Sequence, residues 1–248
     1  MQVHTTIEDR IAHVRLDRPP ANAMNAAFID EITACFKELE DNAQVGASVI
    51  SGTGRIFSAG VDLKHLPGLD VAGQDQLVLA INAMCAAIFG SRKPVIGALN
   101  GHAIAGGMVL ALCCDYRIAA DRDALFGLTE VRVGVAFPEA TFHVMDNQLS
   151  PQALRRLTQF GQNIDSDAAL AMGVVDELAE PQAVIDRAMA KARASLAIPA
   201  GGYAQVKHQL RGSAMQKIQV LVERKQDKFL GGWLSEEART AAMHVLHG

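Results

Sequence analysis

Apolar and polar residues alternate at the start of the chain in the pattern of a β-hairpin. Residues 3–7 and 11–16 alternate, and the polar triplet at 8–10 between them is typical of a turn. Pro19 and Pro20 follow and supply no backbone donors, so we expect the second strand to end before them.

Helical and strand periodicities then take turns along the chain. Asn25 is placed to cap a helix, whose apolar stripe recurs every three or four residues: Phe28, Ile32, Cys35, Phe36 and Leu39. Short apolar runs predict buried strands at 47–51, 94–99 and 116–119, with helices at 71–90 and from 106 to 112. This order predicts crossover connections and a largely parallel sheet in an α/β fold.

From about residue 138 the pattern becomes mainly helical. The periodicity predicts helices at 138–147, 150–158, 165–171, 181–196, 200–211, 214–230 and 233–246, with one short strand at 174–178. The segment IPAGG at 198–202 is the predicted hinge. We therefore expect an α/β core over residues 1–198 and a helical oligomerisation region over residues 199–248.

Composition narrows the class of protein. Half of the 248 residues are apolar, which favours one large domain. Because the net charge is only −4, we expect no nucleic-acid partner. Glycine, Asn or Asp interrupts every long apolar stretch before the roughly 20 residues of a membrane span. The N-terminus also lacks the apolar region of a signal peptide. We therefore expect a cytoplasmic protein that does not bind a membrane.

The cysteines and histidines suggest neither a metal nor a redox site. No CxxC pair is present, and no histidine cluster has metal-ligand spacing. We expect free and mostly buried thiols at the four cysteines, which are Cys35, Cys85, Cys113 and Cys114. No metal ion and no separate cofactor are expected.

Two glycine-containing turns carry the candidate chemistry. They are FSAGVDL at 57–63 and NGHAIAGGM at 100–108, and each follows a predicted strand. Ligands of open α/β sheets bind beyond the carboxyl ends of strands, and the first N–H groups of a helix have no intrahelical partner. The two turns together predict an oxyanion hole, in which two N–H donors hold one oxygen. Either turn alone is equally typical of a tight connection.

The same turns lie within longer stretches that resemble a known family. These stretches are RPPANAMN (18–25), GRIFSAGVDLKHL (54–66), KPVIGALNGHAIAGGMVLALCCDYRIAA (93–120) and ALFGLTEVRVGVAFP (124–138). The chain resembles the crotonase (enoyl-CoA hydratase/isomerase) superfamily over nearly its whole length, and WLSEEAR (233–239) is similar to the family's closing helix. The resemblance implies a spiral of ββα units with a helical C-terminal trimerisation region. It also implies an acyl-CoA substrate and a homotrimer or dimer of trimers.

The resemblance assigns roles to individual residues. It implies that the N–H groups of Ala59 and Gly106 hold the thioester oxygen, and that coenzyme A is part of the substrate. It places the adenine against Ala21, Ala23 and Met24. Lys64 either meets a phosphate or is a solvated turn residue. The other substrate-binding residues that it implies are Gly60, Val61, Asp62, Leu63, Leu66, Gly107, Val109 and Phe137.

A departure from the family pattern concerns the catalytic carboxylates. Hydratases of the family use two glutamates, and the first of these positions is Val109 in this chain, while the second is Glu130. Hydration needs two groups to position water and deliver a proton. One carboxylate is sufficient to move a proton between two carbons of an enoyl chain. The segment GLTEVRVG at 127–134 is also similar to that of Δ3,Δ2-enoyl-CoA isomerases, so Glu130 is the expected general base, with apolar neighbours that raise its pKa.

The sequence leaves two other functions open. A hydratase or another crotonase reaction could take its second group from Glu139 or a histidine, although Glu139 could equally cap the helix that starts there. The alternative from another class is a catalytically weak acyl-CoA-binding protein that has lost part of the site.

Several polar and aromatic residues are expected to support the site or the fold. His65 and His102 are expected to be exposed or supporting, and Asp62 to brace the first turn. Asp115 is expected to accept hydrogen bonds from backbone donors. Trp233, near the C-terminus, packs either at an oligomer interface or within its own chain.

Overall fold

The computed structural model describes the backbone of residues 1–247 and the side chains of residues 1–242. The strands are β1 (Val3–Glu8), β2 (Ile11–Leu16), β3 (Ala47–Gly52), β4 (Ile56–Ser58), β5 (Val95–Leu99), β6 (His102–Ile104), β7 (Tyr116–Ala120), β8 (Phe126–Gly127) and β9 (Glu177–Ala179). The helices are α1 (Ala26–Asp41), α2 (Val71–Phe89), α3 (Gly106–Leu112), α4 (Glu139–Gln148), α5 (Pro151–Leu154), α6 (Ser166–Ala171), α7 (Val184–Ser195), α8 (Ala200–Arg224) and α9 (Glu236–His247).

The strands form two sheets. The larger has the order β1-β2-β3-β5-β7-β9, and the smaller has the order β4-β6-β8. Only the β1–β2 hairpin is antiparallel among the pairs of the described residues. Its turn places Asp9 and Arg10 at φ angles of 48° and 65°, the backbone expected of a two-residue hairpin turn. The predicted hairpin and parallel sheet are confirmed.

Three successive ββα units each supply one strand to each sheet. The units β3–β4–α2, β5–β6–α3 and β7–β8–α4 follow one another along the chain. The longer strand of each unit enters the central sheet, where β3 and β5 are buried along their whole length. The short strand of each unit enters the smaller sheet. The α/β spiral of ββα units is therefore confirmed.

The C-terminal region differs from the sequence prediction in one helix. Helices were predicted at 200–211 and 214–230, but α8 runs without interruption through Gly212 and Ser213 and ends at Arg224. The residues buried along it are Lys207, Arg211, Ala214, Ile218 and Leu221, so one continuous face packs on the core across the expected break. Lys225, at a φ of 47°, ends the helix. The short strand β9 also begins later than predicted, at Glu177.

A buried charged cluster joins α8 to the central sheet. Asp115 accepts a hydrogen bond from the Val95 N–H at 2.8 Å, as predicted, and pairs with Lys207 at 2.7 Å and Arg211 at 3.1 Å. Arg211 also donates to the carbonyls of Phe89, Cys113 and Cys114. The cations of α8 thus satisfy carbonyls at the ends of core elements.

One helix, α2, is long and apolar enough to cross a membrane by length and composition alone. Ten of its nineteen residues are buried in the protein, and they include the polar Gln74 and Asn82. Such burial is typical of a core helix. The thiols of Cys85, Cys113 and Cys114 are buried and free, whereas Cys35 is only partly buried.

Candidate active site

A cavity of about 380 Å³ lies beside the smaller sheet. Its lining is mainly aliphatic and aromatic, as in most small-molecule sites. The polar side chains of the lining are Thr129, Glu130, Arg132, Thr141 and Asn163. Arg132 and Asn163 are solvent-exposed and mark the opening, whereas Thr141 is buried and donates to the Pro138 carbonyl at 2.6 Å. The interior is therefore apolar apart from Thr141, Thr129 and the Glu130 carboxyl.

The two glycine-containing turns meet at this cavity because β4 and β6 are parallel neighbours. Gly60 has a φ of 82°, and a Cβ atom there would lie 2.7 Å from the Gly106 nitrogen and 2.9 Å from the Ile104 carbonyl oxygen. A side chain at position 60 would therefore separate the turns. The predicted convergence of the turns at 57–63 and 100–108 is confirmed.

The structure corrects one of the two predicted oxyanion donors. The Ala59 N–H donates to the Ala21 carbonyl at 3.0 Å, so it is not available to a substrate oxygen. The Met24 N–H donates to the Gly60 carbonyl, and the Met24 carbonyl accepts from the Asp62 N–H. Met24 thus pairs with the residues before and after Val61. This bridge leaves the Val61 N–H without a partner among the described residues. Val61 is therefore the candidate donor of the first turn in place of Ala59.

The second donor is where the sequence predicted it. Gly106 begins α3, and its N–H has no hydrogen-bond acceptor within the described part of the chain. A Cβ atom on Gly106 would lie 3.6 Å from the Val61 nitrogen, so the two donors are close neighbours. Ala105, the residue before Gly106, has a φ of 51°, an uncommon backbone conformation for a non-glycine residue. Two free N–H groups at the cavity wall form the arrangement that stabilises an oxyanion.

Glu130 is the single carboxylate that lines the cavity among the described residues. It begins a short 3₁₀ turn, Glu130–Val133, and its Oε2 atom is buried without any hydrogen-bond partner in the described structure. Burial in apolar surroundings raises the pKa of this carboxyl to about 8. Val109 and Phe137 line the same cavity and are part of these apolar surroundings.

Glu139 is not a second carboxylate of the site. It is the first residue of α4, and its N–H donates to Asp227 at 2.8 Å. Its Oε2 accepts from the Lys228 N–H at 3.2 Å. The Glu139 carboxylate is thus turned toward the segment after α8, where it satisfies the Lys228 N–H. Of the two alternatives for Glu139, neither holds: it is not a pocket carboxylate, and it does not cap α4 either, because Pro138 is the N-cap residue of that helix.

The remaining predicted binding residues divide into two groups. The cavity is lined, as predicted, by Met24, Val61, Leu63, Leu66, Val109 and Phe137. The predicted residues that do not line it are Ala21, Ala23, Gly60, Asp62, Lys64 and Gly107. Gly107 instead allows close packing, because a Cβ atom there would lie 2.2 Å from the Ser58 carbonyl oxygen. Lys64 is exposed on the turn.

The predicted supporting roles hold for three polar residues. Asp62 braces the first turn by accepting from the Lys64 N–H at 3.1 Å and pairing with Arg18 at 2.9 Å and His65 at 3.1 Å. His65 is otherwise exposed. His102 accepts from the Leu125 N–H through Nδ1 at 3.0 Å and does not line the cavity.

Sequence reasoning missed the walls that come from distant parts of the chain. Ile81 and Met84 of α2, Thr141 of α4 and Trp233 line the cavity together. Helical periodicity marks Ile81 and Met84 as core residues but gives no indication of which part of the core they enclose, and Thr141 carries no such signal. Trp233 packs in its own chain, where its indole N–H donates to the Ala136 carbonyl at 2.8 Å.

Comparisons with known proteins agree on one family. The model of the enoyl-CoA hydratase/isomerase family matches residues 6–239. A probable enoyl-CoA hydratase of Mycobacterium tuberculosis is 32% identical over 197 residues, which are 79% of this chain and 75% of that protein.

Solved structures agree as well. A structure of an enoyl-CoA isomerase of Mycobacterium tuberculosis is similar with a TM-score of 0.83 and 32% identity, and covers 90% of this chain and 96% of that one. Human mitochondrial Δ3-Δ2-enoyl-CoA isomerase has a TM-score of 0.92 and 23% identity, over 100% of this chain and 97% of that one. At that identity the likeness to the human enzyme concerns the fold alone.

Proposed function

The chain belongs to the enoyl-CoA hydratase/isomerase family, and from that premise we propose that it is a Δ3,Δ2-enoyl-CoA isomerase. The observation that carries the proposal is that Glu130 is the single carboxylate among the described residues of the cavity lining. Val109 lines the same cavity at the position where the family's hydratases have their other glutamate. A valine can neither bind nor deprotonate a water molecule. A single base can move a proton between two carbons of one substrate.

The proposed reaction begins with the thioester oxygen in the oxyanion hole. The N–H groups of Val61 and Gly106 donate to this oxygen and stabilise the negative charge that develops on it. The Glu130 carboxylate removes a proton from the α-carbon of the 3-enoyl chain. The electron pair of the broken C–H bond moves into the bond between the α-carbon and the carbonyl carbon, and the carbonyl π pair moves onto the thioester oxygen, while the 3,4 double bond stays in place and conjugates with this enolate. A dienolate forms, and Glu130 becomes a neutral acid.

The second half of the reaction returns the same proton. The Glu130 carboxylic acid donates it to the γ-carbon, so that the double bond comes to lie between the α- and β-carbons. No water molecule enters the balance, which agrees with the apolar lining around the carboxyl. A carboxyl with a pKa of about 8 is suited to both halves, because its acid and base forms differ by only about 1.4 kcal/mol in free energy at pH 7.

The substrate would be an acyl-CoA with a hydrocarbon chain. No charged side chain other than Glu130 and the exposed Arg132 lines the described cavity. Polar or charged acyl groups would therefore be buried without partners, at a cost in free energy. A homotrimer or dimer of trimers and a cytoplasmic location stay predictions from the sequence.

The test compares two substrates under the same conditions. The protein is incubated separately with 3-enoyl-CoA and 2-enoyl-CoA, and the conjugated thioester is followed by absorbance. We expect it to form from the first substrate and to persist with the second. In Glu130→Gln, formation is expected to slow by about a hundredfold or more, while Glu139→Gln behaves as the parent.

Two outcomes would count against the isomerase. Loss of the conjugated thioester of 2-enoyl-CoA, faster than turnover of 3-enoyl-CoA, would identify a hydratase. Binding of both thioesters without turnover of either would identify an acyl-CoA-binding protein.

A further inference from the structure

A segment from the far end of the chain closes one side of the cavity. Residues 225–235, here called the connecting segment, join α8 to α9. Trp233 of this segment lines the cavity, whereas the other described lining residues all lie between Met24 and Asn163. Trp233 is nearly buried, with 7% of its surface exposed. The Trp233 indole therefore forms a part of the cavity wall that the other described lining residues do not form.

The connecting segment is fixed to α2 through polar side chains. The buried Gln74 accepts from the Leu234 N–H at 2.9 Å, and Asp75 accepts from the Gly231 N–H at 2.8 Å. Because α2 also supplies Ile81 and Met84 to the lining, Trp233 is held in a constant position relative to that wall.

The segment is equally fixed to the start of α4. Asp227 accepts from the buried Asn82 side chain at 3.0 Å and from the Glu139 N–H at 2.8 Å. The Trp233 indole N–H donates to the Ala136 carbonyl at 2.8 Å. Pro138 and Thr141, next to these contacts, line the cavity. Trp233 thus spans the interval between two walls and is anchored to both.

We propose that Trp233 is a specificity-determining residue, whose indole limits the length of the acyl chain that the cavity accepts. The inference rests on the proposed function only in taking the acyl group of a thioester as the occupant. Ile81, Met84 and Val135 line the same cavity and are apolar, so space released at position 233 would open into an apolar cavity. Methylene groups would fill that space favourably.

The test measures binding rather than turnover. Saturated butanoyl-, octanoyl-, dodecanoyl- and hexadecanoyl-CoA are titrated into the parent protein and into Trp233→Leu by calorimetry. In the parent, affinity is expected to rise with chain length and then to stop rising. In Trp233→Leu the rise is expected to continue to longer chains, by about fourfold for each methylene newly accommodated, with butanoyl-CoA binding unchanged.

Two further variants separate wall size from general loosening. Trp233→Phe keeps an aromatic ring of smaller size, so a smaller shift in the same direction is expected even if Trp233→Leu folds poorly. Leu234→Ala is the matched control, because Leu234 is buried in the same segment but does not line the cavity. We expect its chain-length profile to match that of the parent.

The results decide between clear alternatives. An unchanged chain-length profile in both Trp233 variants would overturn the inference, and so would an equal shift in Leu234→Ala. Saturated thioesters undergo no isomerisation, so the inference can succeed or fail whether or not the protein converts 3-enoyl-CoA. Absence of that conversion at every chain length would count against the proposed function alone.

Discussion

At the scale of single residues, the Glu130 carboxyl combines a role in chemistry with a cost to folding. Its Oε2 atom is buried without a partner among the described residues, and burial raises its pKa from 4.5 to about 8. Below pH 4.5 the carboxyl is neutral in the folded and unfolded states. Between pH 4.5 and 8 the unfolded chain ionises first, so the free energy of unfolding falls as the pH rises.

Glu130→Gln is therefore expected to stabilise the protein in a pH-dependent way. The neutral amide removes the penalty of a buried charge, which amounts to about 1.4 kcal/mol for each unit of pKa shift. Urea unfolding at pH 5 and pH 9 measures the difference between variant and parent. We expect that difference to be larger at pH 9, by a few kcal/mol.

A matched substitution controls for the loss of any carboxylate. Glu139→Gln removes a carboxylate that accepts a hydrogen bond from Lys228 outside the cavity, so it measures the effect of losing a carboxylate that is not buried in the cavity. Equal effects of Glu130→Gln at the two pH values would show that the Glu130 carboxyl ionises normally.

The free backbone N–H could be predicted from the sequence for the turn at 100–108 but not for the turn at 57–63. Gly106 begins a helix, so its N–H lacks an intrahelical partner wherever that helix is placed. The first turn does not lead into a helix, and the free donor there depends on the bridge between Met24 and Val61. That pairing joins segments nearly forty residues apart and has no local signal, which is why Ala59 was predicted in place of Val61.

At the scale of elements, the site depends on how closely two turns approach. Gly60 is expected to tolerate no side chain, because alanine there would place its Cβ 2.7 Å from the Gly106 nitrogen at a φ of 82°. Gly60→Ala should therefore separate the oxyanion donors. One such donor is worth about a hundredfold or more in rate, so we expect at least that loss in turnover of 3-enoyl-CoA.

Gly54→Ala is the matched control for this prediction. Gly54 has a similar φ of 70° but no atom within 4 Å of an added Cβ. Both variants carry the backbone strain of alanine at positive φ, about 1 kcal/mol, and thermal unfolding measures it. Turnover by Gly60→Ala equal to that by Gly54→Ala would show that the approach of the two turns is not required.

The short strands of the smaller sheet could not be predicted from the sequence. The strands β1, β2, β3, β5 and β7 follow from alternation or from apolar runs of four residues or more. The smaller sheet consists of strands of two or three residues, and its middle strand β6 begins with the polar His102. Such segments are too short for a period to be visible. They are nevertheless the elements that bring the two turns together.

At the scale of the whole molecule, α8 is joined to the core by charge as well as by apolar contact. Asp115 pairs with two cations that are themselves buried, Lys207 and Arg211. Asp115→Asn would leave them without a counter-charge, at a cost of about 3–5 kcal/mol. We expect the free energy of unfolding in urea to fall by that amount.

An exposed ion pair provides the control for this effect. Arg193 and Asp9 are 3.3 Å apart on the surface, with side chains more than half exposed. Arg193→Gln is expected to change the free energy of unfolding by less than about 1 kcal/mol. If Asp115→Asn were no more destabilising than Arg193→Gln, the cluster would not be what holds α8 in place.

The route of the proton through the whole active site can be followed with an isotope. A 3-enoyl-CoA deuterated at the α-carbon is converted in ordinary water, and mass spectrometry measures deuterium at the γ-carbon of the 2-enoyl-CoA product. If Glu130 alone removes and returns the proton from its buried position, part of the label appears at the γ-carbon. A product with no deuterium at the γ-carbon, from the earliest turnovers onward, would mean that water or a second group supplies that proton.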